Sequence, residues 1–279
     1  MNQIFLQSKK SNVFFENYYI PNLRKKHNIV LFFMLTIITF SACKSGKTIQ
    51  RQMMNIHSEL FYGLTTPVYL DANDTIYLNP VDYSAMLPYS TVRKKGGKFL
   101  PFLIYNLSQT NFEVTLGEAS LVQPYRDFLM DALSAQCNRS SCFNLKVKND
   151  DTVLPDSALI LDVKIINNVT TAKMKNSDGA FLNPLTDGYF QGFYNWEINQ
   201  PVSWLEISAR LMQQEKCIWE KSYTVTQDLS YHRGGIKDDT EAYQTCIDNM
   251  TECLSLTTKE IVESISQNLH LIMLQKKTH

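Results

Sequence analysis

The sequence predicts an α+β fold, a mostly antiparallel sheet with two helices packed on one face. Two observations predict it. Between Pro67 and Thr226, short stretches alternate apolar and polar residues, the period-two pattern of strands with one buried face. Residues 121–136 and 241–269 instead repeat apolar residues every three or four positions, as amphipathic helices do. Because the strands alternate, one sheet face is left for both helices to cover.

The elements follow in order. Residues 75–78 (TIYL) are short and β-prone. Residues 80–90 are rich in Pro and Tyr and read as irregular, and 93–98 (RKKGGK) as a charged glycine turn. Residues 99–106 and 111–116 pair as strands around LSQT, with Pro101 placing the first at an edge. Leu121, Tyr125, Phe128, Leu129, Ala132 and Leu133 then share one helical face. Ser120 is positioned to cap that helix and Pro124 lies in its first turn. Residues 142–147 form a strand, and 158–171 the clearest one. There Leu159, Leu161, Val163 and Ile165 face one way, Asp162 and Lys164 the other.

Residues 173–200 break the regularity and read as a long loop inserted between strands. Six aromatic residues crowd it: Phe181, Tyr189, Phe190, Phe193, Tyr194 and Trp196. Long ordered loops often carry recognition; the other reading is that the rings cover one end of the sheet. Residues 204–212 and 217–226 form a second hairpin. Leu205, Ile207, Ala209 and Leu211 share one face of its first strand; Cys217, Trp219, Tyr223 and Val225 share one face of the return. Asp238, Asp239 and Thr240 are placed to cap the last helix, whose stripe runs through Tyr243, Cys246, Met250, Cys253, Leu254, Thr257, Ile261 and Ile265.

A leader precedes the domain. Arg24, Lys25 and Lys26 are followed by twelve apolar-rich residues, Ile29 to Phe40, then by Ser41, Ala42 and Cys43. Twelve residues give about 18 Å of helix, short of a hydrocarbon core of about 30 Å. A basic start, a short apolar run and small residues make a secretory signal rather than a membrane span. The small residues leading directly into Cys43 resemble the lipobox of bacterial lipoproteins. That family carries an apolar residue, usually Leu, three positions before the Cys; here it is Phe40. The resemblance implies cleavage before Cys43 and lipidation of its thiol, so that Cys43 starts the mature chain.

The expected organisation is a signal peptide with an N-terminal extension over 1–42, a lipidated tether over 43–66 and one α+β domain over 67–279. In lipoproteins of this kind an Asp after the Cys retains the protein at the inner membrane. Lys44 stands there instead, which implies the outer membrane, and KSGKT lacks the acidic patch that directs export to the cell surface, which implies the periplasmic side.

Charge and cysteines set further bounds. The leader removes five basic residues and one acidic residue from 27 and 27, leaving 22 and 26, a formal charge of −4. No nucleic-acid partner is expected, because such binders present a basic face. Five cysteines remain after Cys43, an odd number, so at least one is free or paired with another chain. Cys137 and Cys142 flank NRSS and are the expected disulfide, worth about 2 kcal/mol by chain entropy. Cys246 and Cys253, seven apart on a helix, lie about 10 Å apart, too far to bridge each other; either is open to Cys217. Neither close pair has the spacing of a zinc site.

Chemistry-bearing motifs are few. His57, His232, His270 and His279 are scattered, and neither a zincin nor a nucleophile-elbow motif is present. Gly96-Gly97 and Gly234-Gly235 lack the frame of a phosphate loop and read as turns. No metal or cofactor is expected. The order of elements behind a lipobox resembles, over about residues 99–269, the auxiliary lipoproteins of lipid transporters and the lipopolysaccharide-assembly lipoproteins. The resemblance implies a non-catalytic accessory module, held to the membrane by its N-terminal lipid and meeting an envelope protein complex or a lipid. The alternative is a periplasmic hydrolase whose site is not visible as a motif.

Overall fold

Backbone pairing, more than apolar patterning, fixes where the strands end. The structure, a computed structural model, describes residues 45–64, 74–102, 105–140, 142–148, 154–155, 157–182 and 190–277. The leader and Cys43 lie outside the described residues.

Helix α1 spans Gly46–Met53. Ser45 caps it, its hydroxyl accepting from the Thr48 N–H at 3.2 Å. Ile49 and Met53, four apart on one face, are fully buried. Past the helix, Ile56 and Leu60 bury as well, and Ser58 makes a parallel bridge to Leu121. Residues 45–60 are therefore part of the domain and not the free tether expected over 43–66. Four apolar side chains on one short segment have no reason to remain in water. Lys44–His279 forms one unit holding the whole buried core.

Among the described residues, nine strands join one sheet. They are β1 (Asp74–Leu78), β2 (Asp82–Tyr83), β3 (Thr91–Phe102), β4 (Tyr105–Thr115), β5 (Phe143–Val147), β6 (Leu159–Leu182), β7 (Phe190–Gln213), β8 (Lys216–Asp228) and β9 (His232–Ile236). Helix α2 (Tyr125–Ser140) stands between β4 and β5, and α3 (Asp239–Lys277) closes the chain. The α+β class holds. The sheet, however, is mixed: β1 runs parallel to β5 and β6, and β2 parallel to β6. These pairings join residues far apart in sequence, which alternation alone does not reveal. There are also three helices among the described residues, not two.

The 24-residue strands β6 and β7 form a hairpin about 80 Å long. In its near half, β1 and β2 pair with β6, and β8 with β7. In its far half, β4 pairs with β6, with β3 beyond it, and β9 pairs with β7. The switch falls at Gln200-Pro201. Gln200 takes φ 36, its N–H donates to the Tyr231 carbonyl, and Leu229 N–H donates to the Pro201 carbonyl. The segment RKKGGK is not a turn but part of β3, with a bulge between Lys94 and Gly96. Gly97 is required there, because a Cβ would meet the Gln109 carbonyl oxygen at 2.6 Å.

Helix α2 begins at Tyr125, four residues later than the spacing suggested. Ser120 sits instead in a 3₁₀ turn (Glu118–Ser120), its hydroxyl bonded to that of Ser90. Helix α3, about 58 Å long, packs on β6–β9 and on both other helices. Its expected stripe is buried and extends through Leu269 and Met273. The opposite sheet face carries exposed cross-strand ladders such as Asp82–Lys164 and Arg210–Glu220.

All five cysteines of this unit are free thiols, so the Cys137–Cys142 bridge is absent. Cys137 lies in the last turns of α2, fully buried and hydrogen-bonded to Ser266 of α3. Its helix turns the thiol into the core, away from the NRSS segment a bridge would close.

Candidate functional site

The aromatic segment expected as a loop is mostly strand. Residues 173–182 continue β6 and 190–200 continue β7; both are held by ladder bonds, β6 on two sides. Phe181 and Phe190 occupy strand positions, while Tyr189 lies outside the described residues.

Two of the six expected residues, Tyr194 and Trp196, define where this arm joins the body. Trp196 is fully buried, and its Nε1–H donates to Asp239 Oδ1 at 2.8 Å. Tyr194 donates its hydroxyl to the same oxygen at 2.5 Å. Ring contacts then link Trp196 to Tyr243 (5.5 Å), Phe112 (6.0 Å) and Tyr194 (6.3 Å). Burial raises the phenols of Tyr194 and Tyr243 above their ordinary range. Phe193, on the alternate face, is half-buried. Tyr194 and Trp196 thus lock the arm to the first turn of α3. The expectation that rings cover one end of the sheet describes these two; Phe193 takes the opposite face.

Counting the row of Tyr194 itself, the strands run out from that lock for four paired rows. The row Phe99–Ser108–Asp178–Tyr194 comes first and Phe102–Tyr105–Phe181–Gln191 last. Alternate rows share a face. On the face away from the helices, Gly96–Asn111–Lys175–Glu197 is followed by Lys98–Gln109–Ser177–Asn195. In register beyond them come Leu100–Leu107–Gly179–Phe193 and the Phe102 row. Six of these last eight positions are Leu, Phe or Tyr. The composition of these rows therefore grades from charged and polar to apolar toward the end of the arm. Nearer the body, Lys175 pairs with Glu197 at 3.1 Å and Lys95 with Glu113 at 2.5 Å. The β7 aromatics are visible in the sequence, but their partners on β3 and β4 are not, because FLPFLIYN reads as one strand whereas it spans the ends of two.

Elsewhere on the open sheet face, a shallow depression of about 740 Å³ is lined by Asn79, Asp82, Asp162, Lys164, Arg210 and Glu220. Asn79 Nδ2 donates to Asp162 at 2.5 Å, and the charged groups match across strands. No group of three or more His, Cys, Asp or Glu side chains among the described residues is arranged to hold a metal ion. No described helix is long and apolar enough to cross a membrane.

No family model matches the sequence, and no curated protein matches it. Among solved structures, the crystal structure of protein XCC0632 from Xanthomonas campestris, of family DUF330, is similar at 11% identity with a TM-score of 0.43. The alignment covers 80% of this chain and 99% of that one.

Proposed function

We propose that this protein is a lipid-anchored lipoprotein of the bacterial envelope, acting as a non-catalytic accessory or binding module of a transport or assembly system. Cys43 carries the lipid, the outer membrane is its site, and the domain faces the periplasm. The apolar end of the β3–β4–β6–β7 arm is the recognition surface for an envelope protein or lipid. One observation carries the reading: three paired rows extend past Tyr194, and six of the eight positions in two of them are Leu100, Leu107, Phe193, Phe102, Tyr105 and Phe181. Apolar residues concentrated at the end of an otherwise charged and polar sheet are the composition of an interaction surface.

The test is a mild-detergent pull-down of the tagged full-length protein, analysed for protein and lipid. Phe102→Ser, Phe181→Ser and Phe193→Ser together should abolish recovery of the partner while the thermal midpoint stays within a few degrees. Unchanged recovery would overturn the arm's role. Palmitate labelling that persists in Cys43→Ala would overturn the anchor.

A further inference from the structure

Basic charge is concentrated on one edge of this molecule. Residues 44–54 and 91–102 contain Lys44, Lys47, Arg51, Arg93, Lys94, Lys95 and Lys98, and no Asp or Glu. These seven leave 15 basic residues against 26 acidic in the remainder of the mature chain, an excess of acid everywhere else.

The fold brings both stretches together. Among the described residues, strand β3 is an edge strand, paired with β4 alone. Helix α1 packs against it. At Gly46 the helix backbone approaches so closely that a Cβ would meet the Val92 carbonyl oxygen at 2.7 Å. Lys47, Arg51 and residues 93–98 are all exposed. Lys95 pairs with Glu113 on β4.

The short spacer sets the orientation. Only Lys44 separates Cys43 from Ser45, the cap of α1, a reach of at most about 7 Å. That is within the physiological Debye length of about 8 Å. A domain attached this closely cannot stand off the bilayer. The part of it held nearest is the α1–β3 edge.

We propose that the α1–β3 edge is a docking surface for anionic lipid headgroups, on which the domain lies beside its anchor. This rests on the reading of Cys43 as the lipidated residue. Arg93, Lys94 and Lys98 supply charge to the phosphates.

The test uses the unlipidated unit, residues 44–279, which holds the whole core. Co-sedimentation is measured with phosphatidylcholine vesicles, with and without phosphatidylglycerol. Binding is expected only with the anionic lipid and should fall with added salt. A basic residue at the surface is worth about fivefold in affinity. Arg93→Gln, Lys94→Gln and Lys98→Gln together should therefore weaken binding by on the order of a hundredfold. The control Lys146→Gln, Lys216→Gln and Lys237→Gln removes the same charge from elsewhere and should cost less than tenfold. Hydrogen exchange should slow in β3 and not in β8 when vesicles are added. No binding to either vesicle, or equal losses in the two triple variants, would overturn the proposal. Both results leave the anchor itself to palmitate labelling at Cys43, so the two readings fail separately.

Discussion

Trp196 and Asp239 stand 43 positions apart, and the indole Nε1–H donates to the carboxylate at 2.8 Å. The bond ties the far half of β7 to the first turn of α3, where the helix dipole favours an acidic group. Asp239→Ala removes the acceptor that Trp196 and Tyr194 both use. A buried donor left without its partner costs about 1–3 kcal/mol. The urea midpoint should fall by the equivalent of about 2 kcal/mol with an unchanged m-value. The neighbouring Asp238 acts differently, accepting from the Glu241 N–H at 2.8 Å as the helix cap. Asp238→Ala should cost about 1 kcal/mol.

Two tryptophans on the same strand should respond in opposite ways. Trp196 is fully buried; Trp204 is 45% exposed on the open sheet face, opposite Val169. Trp196→Ala opens a cavity and should cost about 3–5 kcal/mol. Trp204→Ala loses a cross-strand pair worth about 0.2–1 kcal/mol. Chemical denaturation of both variants checks the contrast. Equal losses would contradict the face assignment of β7.

The legible parts of the fold were those where burial and periodicity agree. Leu159, Leu161, Val163 and Ile165 bury as alternation required, and so does most of the α3 stripe. Residues 173–182 were lost because Lys173, Lys175, Ser177 and Asp178 give little apolar signal. Pairing with β4 on one side and β7 on the other makes them strand, and hydropathy does not report pairing. The Cys217–Trp219–Tyr223–Val225 face was right except at Cys217. A bulge opposite Leu211 and Met212 shifts that residue out to solvent. The site was half legible. The ring density of β7 was visible, but its neighbours on β3 and β4 come from a different hairpin. The spacing of Met53, Ile56 and Leu60 suggests a short helix, but the helix is Gly46–Met53 and ends where that spacing begins; only Ile49 and Met53 mark its apolar face, and Ile56 and Leu60 bury beyond it.

Treating residues 45–60 as part of the body has a consequence of its own. Met53→Ala should cost about 2–5 kcal/mol, as for a core methionine, whereas in a free tether it would cost nothing. Gly46→Val places a side chain against the Val92 carbonyl and should loosen α1 from β3. Limited proteolysis should then cut within 45–64 faster than in the unaltered protein.

The thiols provide the last expectation. Cys137, Cys142, Cys246 and Cys253 are buried and Cys217 is exposed. Native residues 44–279 should titrate one thiol with a disulfide reagent at neutral pH. Non-reduced, denatured protein should titrate all five, and a count of three would restore the Cys137–Cys142 bridge. The buried thiols also set an alkaline limit to stability. Burial pushes Cys137 and Cys246 from an ordinary 9.0 to about 12, and Cys253 to about 11. In the unfolded chain these groups lose their protons near pH 9; in the folded chain they keep them. Their contribution is complete below pH 9 and is lost as pH rises through 11 to 12, at about 1.4 kcal/mol per pH unit for each thiol. Urea midpoints measured at rising alkaline pH should therefore fall steeply above pH 9. The decline should be shallower in Cys137→Ala/Cys246→Ala, whose starting stability is lower but whose unfolded state has two fewer protons to release. An identical slope in the two proteins would mean that these thiols do not set the limit.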